Sequence, residues 1–397
     1  MKVGRKLMIA ALCGMLGGCG LSNGKELTLW VITDLHYLTP DLYDVNSYAF
    51  GQLLSTNDGK MIEYMPELLD EFVEMAEEEK PDAVLITGDL TMNGELESLK
   101  SLKTVFSSLN NSGIPVLAIP GNHDINYIYA ANLTGDKPIG VPGISQELFQ
   151  KHMSAFGYDN SSSQAPDSFS YVVELADDLW VMAIDANTEQ APGAITPSTL
   201  VWMEAQLQRS LEEHASVIVM SHQNVLPQNA VMSAGYVIHN HEAVQHLLEQ
   251  YGVSLALSGH SHLQHVSQSD TLTDICTESA AVYPLGFGVI QISEDHTSWT
   301  YEKRQFASYQ DEAYERIETL LREQILRGLH EVELPDDIQE TIVSFGADLA
   351  IKHYTGQTED IDSYREKEGW RLWKEYAGQS FWYAYLQEIM REFSEVE

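Results

Sequence analysis

The chain is 397 residues long, with 44% hydrophobic and 9% aromatic residues, which is ample for packed cores and excludes a disordered or low-complexity polymer. Acidic residues outnumber basic ones 59 to 22. Three of the basic residues, Lys2, Arg5 and Lys6, fall in the first 18, so the net charge of −37 becomes −40 once that segment is gone. A surface this acidic repels polyanions and excludes a general role on DNA, RNA or long nucleic acid.

The N-terminus reads as a leader. Lys2, Arg5 and Lys6 precede a short apolar run, Leu7 to Leu16, below the roughly 20 residues that span a bilayer. Leu16-Gly17-Gly18-Cys19 is similar to a bacterial lipobox. That resemblance implies a signal peptide over 1–18, lipidation of Cys19, a tether over 19–25 and an extracytoplasmic protein, lipid-anchored to the bacterial cell membrane with no spanning helix. Cys13 and Cys19 both lie in or beside the leader, so Cys276 is the single body cysteine and a disulfide framework is excluded. A buried structural thiol is the expectation for Cys276.

Beyond the tether, Glu26–Thr33 is a β-rich run, 61–79 carries helical apolar spacing, and Ala83–Thr87 is a short buried-strand run. Glu95–Leu109 reads as a helix and Pro115–Ile119 as the next strand. Gly and Pro make 134–144 a loop, and 159–168 is another. Strands are expected at Phe169–Leu175, Leu179–Ile184, Val217–Met220 and Val253–Leu257, with helices near 197–213 and 241–251. Shorter strand signals occur near 275–283, 287–293 and 298–304. The alternation gives an α/β body over 26–304. From 305 to 397 the pattern turns helical, at 309–328, 336–352, 362–377 and 379–394, which predicts a separate all-helical domain or cap. Its aromatics, including Trp370, Trp373, Phe381, Trp382 and Tyr385, have the spacing of core packing.

Five polar clusters each follow a predicted buried strand: Asp34-Leu35-His36, Gly88-Asp89, Gly121-Asn122-His123-Asp124, Ser221-His222 and Gly259-His260-Ser261-His262. Ligands of open α/β sheets bind at the carboxyl ends of strands, so these clusters can converge. Carboxylate, imidazole and amide oxygen suit Mn, Fe or Zn, and the lack of cysteine excludes a zinc-thiolate site. Asp89 can bridge two cations about 3.5–4 Å apart. Each cluster alone also suits a turn or a helix cap; the five together, in this order, are what carries the reading.

In that order the blocks resemble the calcineurin-like metallophosphoesterases. The resemblance implies a four-layer αββα sandwich over roughly 26–304 and two divalent or trivalent metal ions. Asp34, His36, Asp89 and His262 would hold one, and Asp89, Asn122, His222 and His260 the other. His123 would be the catalytic histidine that serves the leaving oxygen. Met92 stands where purple acid phosphatases have a tyrosine. The protein phosphatase continuations of the second and third blocks are absent too. The wording is similar to the class III cyclic nucleotide phosphodiesterase branch, and the leader plus helical extension to secreted or lipid-anchored members of Gram-positive bacteria.

The resemblance implies hydrolysis of cyclic nucleotides or other small phosphodiesters by a hydroxide shared between the two metals. Motif neighbourhoods poor in Lys and Arg favour a monoanionic diester over a dianionic monoester. The alternatives are a phosphomonoesterase or nucleotidase on the same fold, or a non-catalytic metal-binding surface lipoprotein. An intact ligand set argues against the last of these, and the acidity argues against a nuclease.

Overall fold

The computed structural model describes residues 9–10, 25–357 and 361–394. The predicted leader, its cleavage site and Cys19 fall outside these residues, apart from Ile9–Ala10, a two-residue strand beside the edge of the first sheet.

The first sheet is built from β1 (Leu27–Ile32), β2 (Ala83–Ile86) and β3 (Val116–Ala118), which run parallel. Gly286–Ile292 and Trp299–Gln305 extend it antiparallel from β1. All four β2 residues are buried, as expected of a strand covered on both faces. The connections are α1 (Met65–Glu79) and α2 (Leu96–Asn111). In α1 the buried residues Met65, Leu68, Leu69, Phe72 and Ala76 recur at helical spacing and turn one stripe to the sheet. Pro66 starts that helix where its missing N–H costs nothing, and Lys80 ends it in the left-handed conformation.

The second sheet is built from β4 (Tyr171–Ala176), β5 (Leu179–Ile184), β6 (Ser216–Ser221), β7 (Leu255–Ser258), β8 (His265–Gln268) and β9 (Thr273–Cys276). Strands β5, β6, β7 and β9 are parallel; β8 is one antiparallel edge, and β4 is antiparallel and carries the other edge, the two-residue strand Ser163–Gln164. Helices α3 (Pro197–Glu213) and α4 (His241–Gln250) cover it. One apolar cluster joins Leu29, Val31, Met220, Leu257 and Ile275 of the two sheets to Phe72 and Phe106 of α1 and α2. Another joins Trp180, Met182 and Val219 to Met203, Leu207 and Leu248 of α3 and α4. The layers are therefore helix, sheet, sheet, helix: the expected αββα sandwich.

The remaining chain is helical: α5 (Gln310–Gly328), α6 (Asp336–Tyr354), α7 (Ile361–Tyr364), α8 (Glu368–Tyr376) and α9 (Phe381–Ser394). These helices share their own apolar cluster, which reaches the sandwich at Val282 and Tyr283. Trp373 is fully buried with its indole N–H donated to Ile342 O at 2.8 Å, and Trp370 stacks on Tyr383. Phe381, at 68% exposed, and Tyr376, at 37%, are exceptions to the packing expectation. No helix among the described residues is long and apolar enough to cross a membrane.

Two sequence expectations need correction. The strand signal near 275–283 belongs to β9, which ends at Cys276; Thr277, Glu278 and Ser279 beyond it are buried polar residues in a loop. The single helix expected over 362–377 is two, because Arg365, Glu366 and Lys367 form a turn between α7 and α8.

Candidate metal centre

The carboxyl ends of β1, β2, β6 and β7, with the loop after β3, deliver the five polar clusters to one place. Backbone bonds zip the first two loops together: Asp34 N donates to Gly88 O at 3.1 Å and His36 N to Asp89 O at 3.0 Å. Gly259 N donates to His222 O at 3.0 Å, which ties the fourth cluster to the fifth. Asp34, His36, Asp89, His260 and His262 all have positive φ, between 42° and 70°. Such strained conformations are held only where the surroundings over-determine them, and they concentrate at functional sites. The motif glycines are explained by contact. A Cβ on Gly121 would collide with the Asp89 carboxylate, and one on Gly259 with Thr33 Oγ1 and Asp34 Oδ2.

Two ligand groups share Asp89. Asp34, His36, Asp89 and His262 form one, and Asp89, His222 and His260 the other, with ligand atoms inside each group within 4.8 Å. In the first, His262 Nε2 lies 3.0 Å from His36 Nε2 and 3.4 Å from Asp34 Oδ1. Asp89 Oδ2 is 3.6 Å from His36 Nε2, while its Oδ1 is 3.3 Å from His222 Nε2. The two oxygens of one carboxylate thus face the two groups. Asn122 Oδ1 joins the second at 3.0 Å from His222 Nε2, and His260 Nδ1 at 3.2 Å from the same atom.

These residues fit metal ions. Asp34 Oδ1 is buried and accepts no hydrogen bond among the described residues, although Oδ2 accepts from Thr33 Oγ1 at 2.8 Å and His260 N at 2.9 Å. Bonds of about 2.1 Å place neighbouring ligand atoms roughly 3.0 to 3.4 Å apart, as most of these are. Hydrogen bonds on the opposite ring nitrogens fix two imidazoles. His222 Nδ1 bonds to Thr87 O at 2.9 Å and leaves Nε2 inward; His260 Nε2 bonds to Gly235 O at 2.8 Å and leaves Nδ1 inward. Burial opposes charge on Asp89, yet the neighbouring His222 and His123 rings hold its carboxyl well below the usual range. In turn Asp89 overcomes the burial of His222 and raises that imidazole to about 9.

His123 stands beside the ligands. Its ring packs edge-on to His36, with centroids 4.9 Å apart, and stacks on Tyr127 at 4.7 Å. Nδ1 bonds to Met92 O at 2.9 Å, so Nε2 is the nitrogen available to a reacting group.

Two contributors escape sequence reasoning. Asp124, the last residue of the third block, is fully buried and accepts from Leu90 N, Thr91 N, Thr91 Oγ1 and Gly121 N at 2.8 to 3.1 Å. It braces the second block against the third, and burial together with Asp89 pushes its carboxyl up to about 6. Its place in the motif was the available signal. Lys60 is buried close enough for its charge to lower the His36 pKa, after burial itself, and nothing in its local sequence marks it. Cys276 is buried as expected, with Sγ donating to Gly259 O at 3.1 Å beneath the fifth cluster.

Comparison with known proteins agrees with this geometry. Residues 27–264 match the family model for the calcineurin-like phosphoesterases, and the chain belongs to that family. It is a hydrolase acting on phosphoric ester bonds, on a fold that holds divalent metal ions. A Moraxella catarrhalis protein named "probable cyclic nucleotide phosphodiesterase" is 24% identical over 248 residues, 62% of this chain and 74% of that one. A glycerophosphodiester phosphodiesterase of Enterobacter lignolyticus is 24% identical over 210 residues, 53% of this chain and 66% of its own. Among solved structures, a dimetal phosphatase of Danio rerio covers 70% of this chain and 98% of its own at 16% identity and a TM-score of 0.50, a likeness of fold.

Proposed function

We propose that the protein is a binuclear phosphodiesterase for cyclic nucleotides or similar small phosphodiesters. The carrying observation is Asp89, whose two carboxylate oxygens face two separate sets of ligands. When bound, a pair of Mn, Fe or Zn ions supplies positive charge to the phosphoryl oxygens and acidifies water.

The protein's own residues do the rest. Asp34, His36, Asp89, Asn122, His222, His260 and His262 position the ions, and the backbone and Asp124 hold those ligands in place before substrate arrives. His123 is aimed by Met92 O, and its Nε2 is the atom that hands a proton to the leaving oxygen. Such a transfer contributes typically 10²–10⁴-fold.

A cleft of about 440 Å³ opens beside Asn122 and His260. Asn126, Asn187, Gln223 and His239 also line it, with Glu189, and no Lys or Arg is among its described lining residues. Neutral amides and one carboxylate suit a ligand of low negative charge better than a dianion. That supports a diester, and the names of the relatives above support a cyclic nucleotide or a glycerophosphodiester. The leader supports lipid anchoring at Cys19 and extracytoplasmic action on such small molecules. Parallel assays on 3′,5′-cyclic AMP, a glycerophosphodiester and a nucleoside 5′-monophosphate test this reading. It expects turnover of at least one diester well above the monoester; preference for the monoester would move the protein to the nucleotidases.

A further inference from the structure

A third group of metal-ligand residues lies apart from this centre. His265 opens β8, His353 is in the last turn of α6, and Glu392 is in the last turn of α9. Glu392 Oε2 is 3.2 Å from His265 Nε2 and 3.6 Å from His353 Nε2. The side chains are 9%, 0% and 10% exposed for His265, His353 and Glu392. Each imidazole is fixed through its other nitrogen. His353 Nδ1 is 2.8 Å from the Tyr385 hydroxyl, and His265 Nδ1 is 3.2 Å from the Ser267 hydroxyl. Both Nε2 atoms are thereby turned to one carboxylate. The second oxygen, Glu392 Oε1, is buried without a hydrogen-bond partner among the described residues.

We propose that His265, His353 and Glu392 form a separate zinc site that staples the helical region to the second sheet. Zinc bonds of about 2.0–2.1 Å in a tetrahedron set ligand atoms roughly 3.3 Å apart, between the two separations seen here. Two imidazoles and a carboxylate without thiolate are a borderline donor set that zinc takes readily. The outer hydroxyls of Tyr385 and Ser267 are the orienting partners that metal-bound histidines require. Because the ligands come from one strand and two helices, ion binding is linked to docking of the helices on the sandwich. The site shares no ligand with the phosphoesterase centre and stands independently of it.

The test is a metal count on the full mature chain, stripped with chelator, reloaded with Zn²⁺ alone and measured by inductively coupled plasma mass spectrometry. The wild type is expected to hold one ion more than Glu392→Gln and one more than His353→Gln. Asp89→Asn should lose ions of the phosphoesterase centre and keep this one, so failure of either assignment is separately visible. Should a variant not fold, zinc-edge anomalous scattering from wild-type crystals decides the matter, with a peak expected between Glu392 Oε2 and the two Nε2 atoms. Equal ion counts in wild type and both folded variants, or no peak there at zinc saturation, would overturn the proposal.

Discussion

Glu278 lies two residues past the end of β9 at Cys276 and next to Ser279, whose hydroxyl donates to Asp34 O at 2.8 Å under the metal centre. Its side chain is fully buried, and neither carboxylate oxygen has a hydrogen-bond partner among the described residues. Burial pushes its pKa from 4.5 up to about 8, against a smaller opposing pull from Lys303 on the strand Trp299–Gln305 of the first sheet. The folded state therefore binds a proton that the unfolded state releases. Stability from this group is full below pH 4.5 and is lost as pH rises through about 8. At about 1.4 kcal/mol per pH unit, the loss between pH 5 and pH 8 is roughly 4 kcal/mol. Glu278→Gln keeps the shape and cannot ionise. Urea unfolding of both proteins at several pH values isolates the effect, since other titrations cancel in the difference. The variant should gain on wild type steadily from pH 5 to pH 8. A stability difference that stays flat across that range would refute the argument that Glu278 is buried unpaired.

Other expectations follow from the same contacts. His123→Ala should lower kcat by roughly 10²–10⁴-fold while metal content, read by mass spectrometry, stays at the wild-type level, because His123 donates no ligand atom. Gly259→Ala should lose metal affinity, since its methyl would collide with Thr33 Oγ1 and with Oδ2 of the ligand Asp34; unchanged metal titration would contradict that. Cys19→Ala should move the protein from the membrane fraction to the soluble fraction of its host, and retention in the membrane would remove the lipobox reading.

Much of the fold is legible because its strands are short, wholly buried runs such as Ala83–Ile86, bounded by Gly, Asn and Asp. The site is legible for a related reason. Each ligand cluster follows directly on such a run, and placing chemistry at strand ends is what an α/β sheet does. What sequence leaves hidden depends on contacts between distant segments. Asp124 looks like one more turn residue until its four donors are seen, and Lys60 is invisible until the fold brings its charge within reach of His36. His265, His353 and Glu392 lie in three elements, with no shared spacing to announce them. The loop at Thr277–Ser279 defeats a strand reading because buried backbone there is satisfied by the metal-centre loops, as in Ala280 N donating to Thr33 O at 3.0 Å.

The proposed two-metal phosphodiesterase centre is open to direct measurement. Its most direct measurement is hydrolysis of a chromogenic phosphodiester and the matching monoester by the mature chain, with Mn²⁺, with chelator, and for Asp89→Asn. Diester turnover is expected to exceed monoester turnover, to be abolished by chelator and restored by Mn²⁺, and to be absent in Asp89→Asn. Wild-type turnover by Asp89→Asn, or by chelator-stripped protein, would contradict the proposal.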